Sequence, residues 1–392
     1  MEMIRSYAKK LRPSREDELM LTAALHPSVP RALEAWRVWT ETADIDRLYE
    51  ASQRLIPLLY HRLNSLGIEH GLMDRFKGIY RRSWYRNQMN FHRALPVLKA
   101  FADAGIDPLV LKGGAVSQLY YPQPGLRPMN DFDLLVPLRQ TDRALEILRA
   151  LGYEPIERRW EQLDGEYRFL RHGHGFLHRE NGHEFDLHWH LMPESCSPDI
   201  DEVLWRYRQS VRIGEMTVGT LDATFHLMHT CAHGFRWNEL APVRWVADAV
   251  KIMEKETIDW QRLFAETRRR KIVLPVALAL EYLWREFAAP VPAEVLARFT
   301  SFPFEKVERL GAVVNQEYYD AGSRFRRPFA WFRYECLRYA QAKYGSDTAC
   351  LTHPWMLPRF IRGHWGLDSA AEVPGEVLRR GGAKLKRLAG SA

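Results

Sequence analysis

Apolar residues recur at three- and four-residue intervals over the first quarter of the chain. The segments VPRALEAWRVW (29–39) and DIDRLYEASQRLIPLLYHRLNSLG (44–67) have this spacing, which predicts amphipathic helices, and Gly67 is placed as a helix stop. Residues 75–104 continue the helical pattern until Gly105. We therefore expect an N-terminal helical region over residues 1–95.

Between residues 96 and 219 the pattern changes to short apolar runs bounded by turn residues. IDPLVLK (106–112), DFDLLVPL (131–138) and SVRIGEMTV (210–218) predict strands, because β-branched and other apolar residues dominate each run. GGAVSQLYY (113–121) predicts a short helix, and QTDRALEILRALG (140–152) predicts a helix capped by its final glycine. HGFLHRENGHEFDLHWHL (174–191) has Asn-Gly between two extended runs, which is typical of a β-hairpin.

Helical spacing returns after Leu221 and predicts a C-terminal helical region over residues 220–392. Four segments carry the pattern: DATFHLMHTCAHGF (222–235), LAPVRWVADAVKIME (240–254), DWQRLFAETRRRK (259–271) and LPVALALEYLWREFAA (274–289). Proline and glycine become more frequent after residue 350, which is typical of a loosely held end. The predicted fold class is α+β, with a small mixed-sheet core over residues 96–219 between two helical regions.

Composition narrows the class of protein. A chain of 392 residues that is 46% hydrophobic has ample material for buried cores and is unlike a disordered protein. No run approaches the ~18 consecutive apolar residues of a membrane span, and the first residues lack the apolar run of a signal peptide. The scattered cysteines predict free thiols in a reducing cytoplasm rather than disulfides: Cys196, Cys231, Cys336 and Cys350.

The net charge of +7 is compatible with partners that carry phosphate, although the basic residues are spread along the chain. Two local concentrations are TRRRK (267–271) and the basic tail RRGGAKLKR (379–387). Each fits a solvated helix face or a frayed end, and each also fits a contact with nucleic acid or acidic lipid.

Two carboxylates one residue apart mark the strand DFDLLVPL. Side chains alternate along a strand, so Asp131 and Asp133 share one face while Phe132 and Leu134 point to the other. Like charges about 6–7 Å apart repel unless a positive group lies between them. A hard divalent cation such as Mg²⁺, or Mn²⁺, meets that need with oxygen ligands.

The second strand of the predicted hairpin offers a third carboxylate. In HEFDLHWH (183–190) the apolar Phe185 and Leu187 alternate with Asp186 and His188. If this strand lies beside DFDLLVPL with the apolar faces aligned, Asp186 joins Asp131 and Asp133. Three carboxylates on one sheet face can hold the metal ions that assist phosphoryl transfer.

A glycine turn precedes the carboxylates. A strand that ends in Lys112-Gly113-Gly114 and opens a helix lets backbone N–H groups approach phosphate oxygens without an intervening Cβ. The same glycines also suit a plain strand-to-helix turn. Arg127, four residues before Asp131, is the stronger side-chain candidate for a phosphate, because guanidinium matches phosphate geometry, and Lys112 is the second.

These motifs together resemble the nucleotidyltransferase superfamily of the DNA polymerase beta type. The fuller pattern LKGGAVSQLYYP…DFDLLV…EFDLHWHL, followed by HLMHTCAHGFRW and VRWVADAV, resembles its uncharacterised bacterial nucleotidyltransferase branch, over roughly residues 85–285. The resemblance implies metal ligands and catalytic carboxylates at Asp131, Asp133 and Asp186, and phosphate contacts at Gly113 and Gly114. The sixteen residues between Gly114 and Asp131 form a longer gap than is usual in the superfamily.

The resemblance implies transfer of a nucleoside monophosphate from an NTP to a hydroxyl acceptor, which the sequence leaves open as a small molecule, peptide or nucleic acid. Two alternatives stay open. A zinc-dependent hydrolase would use the histidine-rich hairpin, whose parity places His178 on the face opposite His188, and a non-catalytic, antitoxin-like protein would bind nucleotide without turnover. His188 is also a candidate nucleotide contact beside Asp186. The histidines between residues 172 and 190 are His172, His174, His178, His183, His188 and His190.

Overall fold

The structure is a computed structural model that describes residues 12–235, 243–319 and 327–379. The helices before the sheet are α1 (Arg15–Leu25), α2 (Val29–Thr42), α3 (Glu50–Gln53), α4 (Ile56–Ser65) and α5 (Met73–Asp103). The helices between strands are α6 (Lys112–Leu119), α7 (Thr141–Ala150), α8 (Tyr167–Leu170) and α9 (Glu202–Arg206). The later helices are α10 (Ala223–Gly234), α11 (Arg244–Lys255), α12 (Trp260–Arg269), α13 (Val273–Phe287), α14 (Ala293–Ser301), α15 (Lys306–Tyr319), α16 (Arg327–Tyr344), α17 (Ala349–Thr352) and α18 (Met356–Trp365).

Within the described ranges, seven strands form one mixed sheet in the order β3-β4-β5-β2-β1-β7-β6. The pairs β2–β5 and β1–β7 are parallel, and the other neighbouring pairs are antiparallel. The strands are β1 (Leu109–Val110), β2 (Phe132–Leu135), β3 (Tyr153–Pro155), β4 (Gly173–His178), β5 (Glu184–His188), β6 (Gln209–Ile213) and β7 (Met216–Thr220).

The α+β architecture with a mixed sheet and flanking helices is confirmed, as is the hairpin β4–β5 around Gly182, whose φ is +64°. Several local predictions were wrong. SVRIGEMTV forms two strands, β6 and β7, because Gly214 adopts a φ of +58° and reverses the chain. The predicted strand 106–112 shrinks to two residues, since Lys112 already begins α6, and the segment 44–67 divides into α3 and α4.

Side-chain caps begin several helices where the sequence supplies a short polar residue. The Ser14 hydroxyl accepts from the N–H of Asp17 at α1, and the Asp222 carboxylate accepts from the N–H of Phe225 at α10. Each cap satisfies one of the N–H groups that a helix start leaves without a partner. The caps therefore fix where these helices begin.

The two faces of the sheet belong to different hydrophobic clusters. Phe132 and Leu134 of β2 point into a cluster with α5 and α7, and the ring of Phe132 packs edge-on against Phe91 of α5 at 6.4 Å. Leu135, on the opposite face, joins a second cluster that contains residues of both the N-terminal and the C-terminal helices. Both helical regions thus share one core. The division at residues 1–95, 96–219 and 220–392 stays a prediction.

The basic segments have different surroundings. Within TRRRK, Arg270 is fully buried and donates to Asp201 at 2.6 Å, so this part of the segment is structural. The tail RRGGAKLKR lies outside the described residues except for Arg379, which pairs with Glu376 on its own helical turn. No helix in the described ranges has the length and apolarity that crossing a membrane requires.

Candidate active site

Parallel pairing of β2 and β5 brings two carboxylates side by side. Asp133 lies directly opposite Asp186 in the strand register, so both side chains leave the same face of the sheet. On the other side of β5 the register partner of Asp186 is Gly175, where a Cβ would lie 3.1 Å from the Asp186 Oδ1. A glycine at that position leaves the carboxylate room.

A buried polar cluster forms around Asp133. Its Oδ1 accepts a hydrogen bond from Lys112 Nζ at 2.5 Å and lies 3.0 Å from His188 Nε2. Asp133 is 1% exposed and His188 is 3% exposed. Ligand atoms of Asp133, Asp186 and His188 all lie within 4.8 Å of one another, the only group in the described ranges arranged to hold a metal ion.

The charges in this cluster are unevenly satisfied. Burial alone would raise the pKa of Asp133, but the charge of Lys112 and the hydrogen bond from His188 outweigh it and hold that pKa well below its usual range. Burial and the neighbouring charge of Asp133 raise the pKa of Asp186 to about 6. Asp186 is therefore the less compensated of the two paired carboxylates.

Lys112 connects the glycine turn to the carboxylates. Although burial works against its charge, the combined pull of Asp133, Asp131 and Asp186 raises the pKa of Lys112. Its backbone has a φ of +42°, in the left-handed region that a residue with a Cβ rarely adopts. Such strain concentrates at functional sites and persists only where surrounding contacts hold it.

The glycine pair is packed tightly. A Cβ on Gly113 would lie 2.5 Å from Arg127 Nη1, and a Cβ on Gly114 would lie 2.8 Å from a methyl group of Val110 and 3.0 Å from the ring of Phe132. Both glycines are buried at the start of α6. Close packing of helix on strand is thus one reason for glycine here, and the phosphate contact of Gly113 and Gly114 stays a prediction.

Arg127 is held in a buried ion pair. Its Nη2 donates to Asp248 Oδ2 at 2.7 Å and its Nε donates to Asp248 Oδ1 at 2.9 Å, while the hydroxyl of Tyr121 donates to the same Oδ1 at 2.8 Å. Arg127 is 8% exposed and Asp248 is 4% exposed. Arg244 lies four residues before Asp248 on α11 but does not pair with it, because Asp248 binds Arg127 and Arg244 donates to the Pro128 carbonyl.

Asp131 lies just before β2 and is partly exposed, outside the compact group formed by Asp133, Asp186 and His188. Its charge still acts on Lys112, Asp186 and Arg127. The sequence therefore brings Asp133, Asp186, His188 and Lys112 into one cluster and leaves Asp131 at its edge.

The remaining hairpin histidines do not assemble a zinc site among the described residues. His174 Nδ1 lies 3.0 Å from the Tyr167 hydroxyl, and His183 Nδ1 lies 2.8 Å from the Tyr153 hydroxyl. His178 packs its ring edge-on against Tyr153, on the face away from His188. The parity assigned to His178 is thus confirmed, and these rings line the aromatic core.

Three features of the site carry no strong sequence signal. The role of Lys112 as a counter-ion for Asp133 depends on a left-handed backbone, and the partners Tyr121 and Asp248 of Arg127 lie 127 residues apart in the chain. No sequence spacing connects these residues. The sequence indicates them only as polar residues within otherwise apolar helical or strand patterns.

A protein-family model described as uncharacterised nucleotidyltransferase matches residues 41–287, well over half of the chain. The matched span contains the whole cluster around Asp133 as well as the glycine turn and the pair Arg127–Asp248. Among curated proteins, none matches this sequence significantly. The family match agrees with the paired strand carboxylates beside a glycine turn, and the chain belongs to the uncharacterised nucleotidyltransferase family.

Proposed function

We propose that this protein transfers a nucleoside monophosphate from an NTP to a hydroxyl acceptor in a metal-dependent reaction. The observation that carries the proposal is the pairing of Asp133 with Asp186 on parallel strands, on one polar sheet face beside the glycine turn. Family membership supports nucleotidyl transfer in general. We also propose that the protein is a member of the DNA polymerase beta-type superfamily and that it is cytoplasmic.

The donor set fits a divalent cation. Two carboxylates and an imidazole converge within 4.8 Å, and the raised pKa of Asp186 reflects its burial and its proximity to the negative charge of Asp133. The Nδ1 of His188 is buried and has no hydrogen-bond partner in the described part of the chain. Mg²⁺ favours sites with one or two carboxylates that leave positions for substrate phosphates, and Mn²⁺ also accepts carboxylate oxygens.

Asp133 and Asp186 would hold the cation, with Asp131 at the edge as a third carboxylate. When bound, the metal would neutralise charge on the phosphates and stabilise the attacking and leaving oxygens. The protein's own groups prepare this site. His188 and Lys112 orient Asp133 through its Oδ1, and the first N–H groups of α6, at Gly113 and Gly114, would bind the phosphates of the NTP.

In the proposed reaction the acceptor oxygen forms a bond to the α-phosphorus, and the bond from that phosphorus to the bridging oxygen breaks to release pyrophosphate. The hydroxyl proton must pass to a base. Asp186 is our candidate for this base, because its oxygens form no ion pair in the described ranges, whereas Asp133 is already paired with Lys112. The guanidinium of Arg127 occupies the space that a Cβ on Gly113 would need and, in this proposal, remains paired with Asp248.

The experiment incubates the purified protein with each α-labelled NTP, Mg²⁺ or Mn²⁺ and a cell extract as the source of acceptors. We expect pyrophosphate release and a newly labelled species. Asp133→Asn and Asp186→Asn should abolish both signals. Glu184→Gln, an exposed carboxylate two residues away on the same strand, should leave them unchanged.

Nucleotide binding without pyrophosphate release across all four NTPs would contradict the transferase and support the antitoxin-like alternative. Stoichiometric zinc, lost when His174 or His183 is replaced, would support the hydrolase instead. Full activity in both Asp133→Asn and Asp186→Asn would place the chemistry elsewhere in the chain.

A further inference from the structure

The long helix α5 is basic along almost its whole length. Residues 75–102 contain seven lysines and arginines and no aspartate or glutamate. Most of these cations are exposed, whereas Phe91, Val97 and Phe101 of the same helix are buried against the sheet. The exposed face of α5 is therefore a continuous cationic surface rather than a face balanced by acidic residues. Its cations are Arg75, Lys77, Arg81, Arg82, Arg86, Arg93 and Lys99.

The central part of this surface lacks ionic partners. In the described ranges, no carboxylate forms an ion pair with Arg81, Arg82 or Arg86, although Arg75 pairs with Asp46 near the start of the helix. Unpaired guanidinium groups on one helix attract a polyanion, and the gain comes largely from the counter-ions that its phosphates release.

Large aromatic side chains stand among these arginines. Tyr85, directly beside Arg86 in the chain, is 62% exposed, and Trp84, one residue earlier, is 45% exposed. The backbone of Trp84 packs closely on Gly125, where an added Cβ would lie 2.7 Å from the Trp84 Cβ, while Tyr85 extends into solvent. Exposed rings interleaved with arginines suit unpaired bases, which stack on them regardless of sequence.

The helix is also fastened to the segment that leads into the carboxylates. Asn87 Nδ2 donates to the Arg127 carbonyl at 2.9 Å, and Asn90 Nδ2 donates to the Met129 carbonyl at 3.2 Å. At the end of this segment Arg86 donates to the side chain of Asn130 at 3.2 Å, one residue before Asp131. The cationic face is thus rigidly joined to the edge of the candidate active site.

We propose that the exposed face of α5 around Arg81, Arg82, Tyr85 and Arg86 binds single-stranded nucleic acid. The bound nucleic acid would present the acceptor hydroxyl at the edge of the active site, beside Asp131. This part of the proposal rests on the proposed transfer activity. The arginines contact phosphates and the rings stack on bases. A bilayer surface fits less well, because the exposed face offers few apolar side chains to bury among lipids.

The test measures the binding of a fluorescently labelled single-stranded oligonucleotide by anisotropy, with neither NTP nor metal present. We expect the double variant Arg81→Gln, Arg82→Gln to bind at least ~10-fold more weakly. The slope of log affinity against log salt concentration should become shallower by about 1.4, the contribution of two phosphate contacts on a single strand. Tyr85→Ala should weaken binding about tenfold, and Tyr85→Phe should retain it, since stacking needs only the ring.

Matched controls separate local contacts from net charge. Arg139→Gln with Arg206→Gln removes the same charge from exposed arginines on other elements, and Trp355→Ala removes an aromatic side chain that is 68% exposed. Both controls should bind the oligonucleotide as the wild type does. Equal weakening by the controls, no measurable binding, or binding only to phosphatidylserine vesicles would overturn the proposal.

Separate measurements distinguish the proposed nucleic-acid surface from the proposed transfer activity. Asp133→Asn should bind the oligonucleotide with wild-type affinity, because Asp133 lies on the opposite face of the sheet from α5. Normal binding without pyrophosphate release would leave the surface in place and contradict the transferase. Pyrophosphate release without oligonucleotide binding would do the reverse.

Discussion

The buried pair Arg127–Asp248 offers a test that separates a structural arginine from a phosphate ligand. Arg127→Met removes the cation and leaves the Asp248 carboxylate buried, with the Tyr121 hydroxyl as its remaining partner. Breaking one side of a buried pair costs ~3–5 kcal/mol, because an uncompensated charge stays in the interior. We therefore expect the free energy of unfolding to fall by about that amount.

Replacing both partners should reverse most of the loss. In Arg127→Met with Asp248→Leu no charge is left without a partner, and apolar pairs of similar volume replace buried ion pairs at little cost. Urea denaturation followed by circular dichroism gives both free energies. Arg143→Met, which breaks the exposed pair with Glu146, is the control and should cost no more than ~1 kcal/mol.

Two results would contradict a purely structural role for Arg127. If Arg127→Met unfolds at the wild-type urea concentration while its affinity for NTP falls, Arg127 binds phosphate and the ion pair is incidental. If the double variant is less stable than Arg127→Met alone, the pair is not what holds this part of the fold together.

Three further outcomes follow from packing and burial. Gly114→Ala should cost ~1–3 kcal/mol, measured by urea denaturation, since its Cβ would press on Val110 and Phe132; unchanged stability would mean that α6 lies farther from β2. Leu187→Ala, at a fully buried position, should cost ~2–5 kcal/mol while metal binding at pH 7 persists in the folded fraction. Burial lowers the pKa of His183 to about 4 and that of His226 to about 3, so the folded state binds fewer protons than the unfolded state below pH ~6.5. Stability should therefore fall as the pH drops from 6.5 to 4, by up to ~1.4 kcal/mol per unit for each histidine, and the slope should be smaller in a His183→Gln, His226→Gln variant. A slope equal to that of the wild type would contradict this assignment.

Much of the site could be predicted because strand parity is a strong constraint. Alternation in DFDLLV and EFDLHW places Phe132 and Phe185 on one face, so pairing the two apolar faces brings Asp133 next to Asp186. The hairpin at Gly182 was predictable for a similar reason, since Asn-Gly supplies the positive φ that the turn requires.

Other features depend on contacts that local pattern does not encode. The left-handed Lys112 shortens β1 and turns its ammonium group onto Asp133, against the ordinary preference of a lysine backbone. The partner of Arg127 is Asp248 on α11, 121 residues away in the chain, and no local spacing indicates such a contact. Gly214 lies in the turn between β6 and β7, and the continuous apolar run gave no sign that the chain reverses there.

Binding of Mn²⁺ tests the central claim most directly, because it depends on Asp133 and Asp186 and needs no knowledge of the acceptor. Titration followed by electron paramagnetic resonance compares the wild type with Asp186→Asn and with the exposed control Glu184→Gln. We predict that the wild type and Glu184→Gln bind Mn²⁺ equally, and that Asp186→Asn binds at least ~10-fold more weakly, a loss of ~1.4 kcal/mol. Equal Mn²⁺ affinity in a folded Asp186→Asn would contradict a metal site between these two strands.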